Sequence, residues 1–251
     1  MRTDGSEKTF RPPEATAFNT THWSVVLNAG DEAAPQANAA LAQLCETYWP
    51  PLYAFLRRDG HDPANAEDLV QGFFECFLER KYLHDVDRER GRFRSFLLAA
   101  LRHYVMNERR DARTQRRGGG ATQLTFDVPG VAERCEAAAK IEQEPHLIFD
   151  RVWAETIMEN AARRLRANYS EAEKTQLYET LRVWLATEAR PGDYAVAAQT
   201  LGVSEGAIAV AVHRLRQNFR RLVRAEVAHT VSSPAEVDEE MRHLLRVLTT
   251  S

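Results

Sequence analysis

Apolar residues along most of this chain recur at steps of three and four, the period of one helical face, and strand-like alternation is almost absent. Residues 1–20 are polar, contain Pro12 and Pro13, and read as a disordered arm. Thr21 is placed to cap a short helix over 22–29. Leu41, Leu44, Cys45, Tyr48, Leu52, Tyr53 and Leu56 form one stripe, which Pro50 and Pro51 are expected to bend or restart near its middle. Asp62 followed by Pro63 is a cap and first-turn pair. It opens a second stripe of Ala66, Leu69, Val70, Phe73, Phe74, Phe77 and Leu78. Phe93, Phe96, Leu97, Ala100, Leu101, Tyr104 and Val105 form a third, on a helix expected to reach about Gln115.

Gly118-Gly119-Gly120 ends this periodicity, and a flexible linker is expected over 118–145, with a short helix near 131–143. Helical signal resumes over 147–167. Ser170-Glu171-Ala172-Glu173 reads as a capping box opening a helix over 171–187. Pro191-Gly192 breaks the chain before helices over 194–201 and 205–227. Ser233-Pro234-Ala235-Glu236 reads as a second capping box, opening a helix with Val237, Met241, Leu244, Leu245 and Leu248 on one stripe. That stripe must bury against something: it either extends the core of the preceding domain or regulates the protein. The expected fold is all-α: helical domains over 21–117 and 146–229, a linker between them, and an additional amphipathic helix over 230–251.

Composition narrows the class. With 44% hydrophobic and 27% charged residues the 251-residue chain is globular in type. It holds no run near the roughly 18 apolar residues that cross a bilayer, and its first residues form no secretory apolar region. Cys45, Cys76 and Cys135 make no C-x-x-C, and two of them fall on helical stripes, so buried thiols in a reducing compartment are expected. The expected location is cytoplasmic, without membrane insertion.

Charge adds more. The net charge of −3 conceals two basic islands, in a chain whose 33 cations are almost all Arg. Residues 88–117 carry ten Arg against Glu89, Glu108 and Asp111; residues 209–225 carry Arg214, Arg216, Arg220, Arg221 and Arg224 with no acid. Two separated basic faces on an otherwise acidic chain predict two contacts with a polyanion.

Residues 194–224 have the grammar of a helix-turn-helix. Ala198 is small where two helices cross, Gly202 permits the tight turn, Val203 is expected to plug the core, and Ser204 caps the second helix. Ile208, Val212, Leu215, Phe219 and Leu222 then face inward, and the arginines outward. In the first island aromatics alternate with arginines: Arg92-Phe93-Arg94-Ser95-Phe96, then Arg102-His103-Tyr104. That chemistry suits single-strand capture, in which planar side chains stack on exposed bases. Phe93 and Phe96 are expected in the core. His103, Asn107, Arg109, Arg110 and Arg113 form the expected contact face.

With these segments in order, the chain resembles the extracytoplasmic-function class of bacterial RNA polymerase sigma factors. Residues 48–58 (YWPPLYAFLRR) resemble the first region 2 helix. Residues 64–80 (ANAEDLVQGFFECFLER) resemble the core-polymerase-binding helix, and 91–117 the promoter-melting helix. Residues 194–224 resemble region 4. The resemblance implies that Glu67, Asp68 and Gln71 meet core RNA polymerase. It implies that His103, Asn107, Arg109 and Arg110 handle the minus-ten non-template strand. In the same way Ser204, Glu205, Ala207, Ala209, His213, Arg214, Arg216 and Arg220 would serve the minus-thirty-five element. Phe96 stands where the family commonly has Trp and is assigned to packing.

The chain departs from the family at 206–211, Gly-Ala-Ile-Ala-Val-Ala, where no side chain makes bidentate base contacts. Region 4 is therefore expected to bind mainly through phosphates, with direct readout confined to residues such as Glu205 and His213 and shape readout supplying the rest. Residues 20–27 and the C-terminal helix resemble a subgroup encoded near serine/threonine kinases. That resemblance implies a kinase or an anti-sigma factor as a further partner. No H-E-x-x-H, Walker loop or G-x-S-x-G is present, so neither enzyme activity nor a cofactor is expected. Asp85 and Asp87 are expected to be solvated rather than to hold a cation. A stand-alone helix-turn-helix regulator is the competing reading; it leaves the Glu67-Asp68 helix and the aromatic–Arg helix unused.

Overall fold

Two interior prolines would ordinarily break the first helix. In a computed structural model that describes residues 35–78, 93–114, 131–231 and 233–250, helix α1 instead runs unbroken over Pro35–Arg58. Pro50 and Pro51 offer no N–H to the carbonyls one turn earlier, at about 3 kcal/mol per interior proline. Burial offsets that cost. Leu44, Leu52, Phe55 and Leu56 are enclosed, each contributing roughly 1.5–3 kcal/mol, and Tyr48 and Tyr53 are enclosed beside them. The expected restart thus does not occur, being outweighed by packing on several sides of one helix.

Among the described residues eight further helices follow: α2 Pro63–Leu78, α3 Phe93–Thr114, α4 Val131–Ala139, α5 Pro145–Glu171, α6 Thr175–Leu181, α7 Asp193–Leu201, α8 Glu205–Ala228 and α9 Val237–Thr249. Short 3-10 turns span Arg182–Leu185 and Pro234–Glu236. Among the described residues the fold is all-α. The arm over 1–20, the helix expected over 22–29, Asp85 and Asp87, and the glycine run at 118–120 lie outside the described residues.

Helix α5 organises the interior. It buries Ile148, Phe149, Val152, Trp153, Ala154, Ile157, Ala161 and Leu165, and packs against α1, α8 and α9. The short helix expected near 131–143 is α4, held on α1 by an ion pair. Arg57 donates from Nε and Nη2 to the Glu136 carboxylate at 2.5 and 2.7 Å, and the Tyr53 hydroxyl donates to it at 2.8 Å. Those hydrogen bonds, Arg57's first, keep the Glu136 carboxyl below its ordinary pKa.

Several local expectations are corrected. Ser170 caps no helix: α5 continues through it. The helix stops with the N–H of Glu173 bonded to Ser170 O (3.0 Å) and that of Lys174 to Tyr169 O (2.8 Å). These are the two bonds of a Schellman closure, with Glu173 in the left-handed region (φ 57°) where glycine is usual. Ser233 likewise makes no side-chain cap bond; the Glu236 N–H closes the 3-10 turn on its carbonyl at 3.1 Å. Val203 does not plug the core but is 47% exposed, and Leu245 is 55% exposed. The face of α9 that packs carries Val237, Glu240, Met241, Leu244, Val247 and Leu248.

Glu240 belongs to that face because it meets Arg94. Arg94, in the first turn of α3, is only 7% exposed. Its Nε donates to Glu240 Oε1 at 2.5 Å and its Nη1 to Asp150 Oδ1 at 2.7 Å, while the guanidinium carbon lies 5.5 Å from the centre of the Trp153 ring. His243 Nε2 approaches the other Asp150 oxygen at 3.2 Å. Burial alone would raise the Asp150 carboxyl; His243 and Arg94 outweigh it and hold the pKa below its ordinary value. An arginine of the first basic island therefore joins α3, α5 and α9.

Removing one member of a buried charge cluster leaves the others uncompensated. Arg94→Met should lower unfolding free energy by about 3–5 kcal/mol, read from urea denaturation. Arg94→Met combined with Glu240→Leu should cost less than Arg94→Met alone. Glu173→Gly should raise stability by about 1 kcal/mol, because a left-handed backbone costs a side-chain-bearing residue roughly 1–2 kcal/mol; the same titration reads it as a higher midpoint.

Candidate nucleic-acid interface

The first surface is built on α2. Asp62 Oδ1 accepts the Asn65 N–H at 3.0 Å, capping the helix as its sequence predicts. Ala66, Val70, Phe73, Phe74 and Phe77 are buried, which turns Glu67 and Asp68 to solvent. Gln71, one turn on, is half-buried and donates from Nε2 to Glu75 Oε1 at 3.2 Å. The three expected polymerase contacts thus share one side of one helix, continued by Glu75.

Helix α3 is seated against α2 through aromatic rings. Gly72 leaves room for the Tyr104 hydroxyl, which a Cβ at that position would strike. Phe73 meets the Tyr104 ring edge-on at 5.9 Å, and Phe77 packs on Phe93 and Phe96 at 6.4 and 6.3 Å. Phe93 is buried and Phe96 half-buried, so both serve packing, as expected. With Leu97, Leu101 and Tyr104 inward, His103, Met106, Asn107 and Arg110 fall on one exposed side at steps of three and four.

The arginines of α3 do not behave alike. Arg110 donates to Asn107 Oδ1 at 2.9 Å, a bond that presets both side chains on the exposed face. Arg109 donates to His61 Nε2 at 2.8 Å and lies 3.7 Å from Asp59, tying it to the α1–α2 turn. Arg102 lies over the Phe55 ring at 5.2 Å. Arg113 is in α3, but its side chain lies outside the described residues. Met106, 66% exposed in the middle of the polar face, is an addition the apolar stripe did not reveal.

The second surface is the α7–α8 pair. Gly202 in the left-handed region (φ 66°) turns the chain, and the two helix axes meet at 99°. Ala197 and Ala198 are buried at the crossing, and Ser204 Oγ accepts the Ala207 N–H at 3.2 Å. Burial of Ile208, Val212, Leu215 and Leu222 leaves Ser204, Glu205, Ala207, Ala209, His213, Arg214 and Arg220 exposed. Arg216 is partly withdrawn: it donates to the carbonyls of Trp184 (2.8 Å) and Thr187 (2.9 Å), fastening α8 to the 3-10 turn. Arg224 pairs with Asp238 at 2.5 Å. Arg214, Arg220 and Arg221 stand on the exposed side, with Val210 and Gln217, which the motif analysis did not select.

Among the described residues no cluster of three or more His, Cys, Asp or Glu is placed to hold a metal ion, and no single helix is long and apolar enough to cross a membrane. The arrangement offers hydrogen-bond donors, planar side chains and cations.

Comparison with known proteins bears on the first surface. Residues 44–115, from the buried half of α1 to the end of α3, match the family model described as Sigma-70 region 2. No curated protein and no solved structure matches the chain. A Sigma-70 region 2 domain built on α1, α2 and α3 supports placing the chain among the sigma-70 family RNA polymerase sigma factors.

Proposed function

We propose that the chain is an extracytoplasmic-function class sigma factor, a cytoplasmic subunit that binds core RNA polymerase and directs it to promoters. The observation that carries this reading is the Sigma-70 region 2 match, whose span includes both the acidic side of α2 and the cationic face of α3. That family consists of non-enzymatic initiation factors. The work is done by binding.

The mechanism has three parts. Glu67, Asp68 and Gln71 dock α2 on the core enzyme. Residues 204–220 anchor upstream duplex DNA, the helix entering the major groove while arginines grip phosphates. His103, Asn107, Arg109, Arg110 and Arg113 capture the opened non-template strand. Unpairing bases costs a few kcal/mol per flipped nucleotide, a cost recovered only if the exposed bases are held, and base stacking on planar side chains supplies about 1–3 kcal/mol each. Arg110 and Asn107 meet that need well, because their mutual bond reduces the ordering required on binding. Regions 21–117 and 146–229 are the two working domains of this scheme. An anti-sigma factor or a serine/threonine kinase would control it.

Two experiments test the proposal. The intact chain should co-elute with purified core RNA polymerase, and an Asp68→Arg/Gln71→Ala variant should lose that association at least tenfold while keeping its helical circular dichroism. Failure of the folded wild-type chain to bind core both before and after phosphorylation overturns the proposal in favour of a stand-alone regulator. His103→Ala/Arg110→Ala should leave core binding intact yet reduce promoter opening about tenfold or more, read by permanganate reactivity of unpaired thymines. Unchanged opening removes α3 from strand capture.

A further inference from the structure

The exposed ridge of α8 begins small and apolar where a groove-reading helix would meet bases. Gly206, Val210, His213 and Gln217 recur at four, three and four residues, directly opposite the buried Ile208, Val212 and Leu215. The ridge spans about 16 Å at 1.5 Å per residue. Val210 is 50% exposed, Ala207 and Ala209 flank it, and nothing lies within 4 Å of where a Gly206 side chain would begin. Val203, at the turn before α8, is exposed as well. A half-exposed β-branched residue between alanines is a poor surface choice unless something apolar covers it.

Charge identifies the occupant. Arg214 stands beside the ridge, and Arg220 and Arg221 lie one turn beyond it, all exposed, in a stretch from 209 to 225 that holds no acid. Cations surrounding an apolar strip on the second helix of a 99° pair match duplex DNA: phosphates at the edges, base edges at the centre. In the major groove the one apolar base feature is the thymine 5-methyl group, and Gln is a bidentate partner for adenine N6 and N7. Arg or Lys, the usual partners of guanine, occupy none of the four ridge positions Gly206, Val210, His213 and Gln217.

We infer that α8 reads A·T base pairs directly: Val210, with Ala207 and Ala209, packs on thymine methyls, and Gln217 bonds adenine. This rests on the assignment of α8 to upstream promoter DNA and deepens it. Gly206 and the alanines serve the same end, since short side chains let the helix backbone sit closer to the groove floor. Specificity thus comes from methyl contact and one amide rather than from arginine forks.

The test uses holoenzyme assembled from core RNA polymerase and the full chain, with a promoter fragment whose upstream element is selected from a randomised duplex. A·T pairs should dominate at adjacent positions. Replacing the selected thymines by deoxyuridine removes only methyl groups and should weaken binding about threefold to fivefold per contacted base. Val210→Ala, at an exposed position that alanine suits, should shrink the dT/dU difference at the thymine it contacts while leaving the salt dependence unchanged. Gln217→Ala should relax selection at one further position. Selection of G·C pairs, or binding indifferent to deoxyuridine, overturns the inference while leaving α8 a DNA-binding helix. An unchanged DNA preference in Val210→Ala also overturns it, and assigns the valines to a protein partner. Absence of any upstream preference in a holoenzyme that still opens promoters removes α8 from DNA recognition, and the inference falls with it.

Discussion

Arg94 holds the described helices together at the point where α3, α5 and α9 converge. A guanidinium is the side chain suited to that position: it remains charged, its planar fork reaches two carboxylates at once, and its face lies against the Trp153 ring. Buried ion pairs are weak sources of net stability, since desolvation consumes most of the attraction. Their strength is in geometry. A hydrophobic face of α9 alone would tolerate sliding by a turn; Glu240 bonded to Arg94, with His243 beside Asp150, admits one register. The final helix accordingly packs on α5 and α8 while holding the start of α3.

That constraint changes how the basic island on α3 must be understood. Arg94 is consumed by the interior, whereas Arg102 lies over the Phe55 ring and Arg109 is steered by His61 and Asp59 while both stay exposed. Arg110 keeps an exposed position, preset by Asn107. The same division recurs on α8, where Arg216 and Arg224 secure the fold and Arg214, Arg220 and Arg221 face outward. A count of cations measures the field that draws a polyanion in; the ligand meets a smaller set.

Packing also sets the spacing between the two surfaces of the first unit. Gly72 lets Tyr104 approach, and the rings of Phe73, Phe77, Phe93 and Phe96 then lock α2 against α3. The acidic side of α2 and the polar face of α3 are consequently held rigidly by one aromatic core. A site carried on rigid helices keeps its geometry better than one carried on loops.

Much of this was legible in the residue pattern. Period-3.6 stripes located α1, α2, α3, α5 and α8, and Asp62, Gly202 and Ser204 marked boundaries the structure reproduces, because caps and left-handed turns depend on a few adjacent residues. Local rules misread the chain wherever a distant partner decided. Pro50 and Pro51 sit inside an unbroken helix because the surrounding core outweighs their cost. Ser170 lies within α5, whose closure falls on Glu173 instead. Val203 points outward although its neighbours obey the turn motif. Glu240, polar within an otherwise apolar face, has no local reason to be buried, and Arg94 none to leave a basic cluster. Composition and periodicity determined which segments are helical, which faces are apolar and that two basic surfaces exist. Only the tertiary structure decided which charges face inward, because a charge leaves water only for a partner, and here the partner lies 146 residues away.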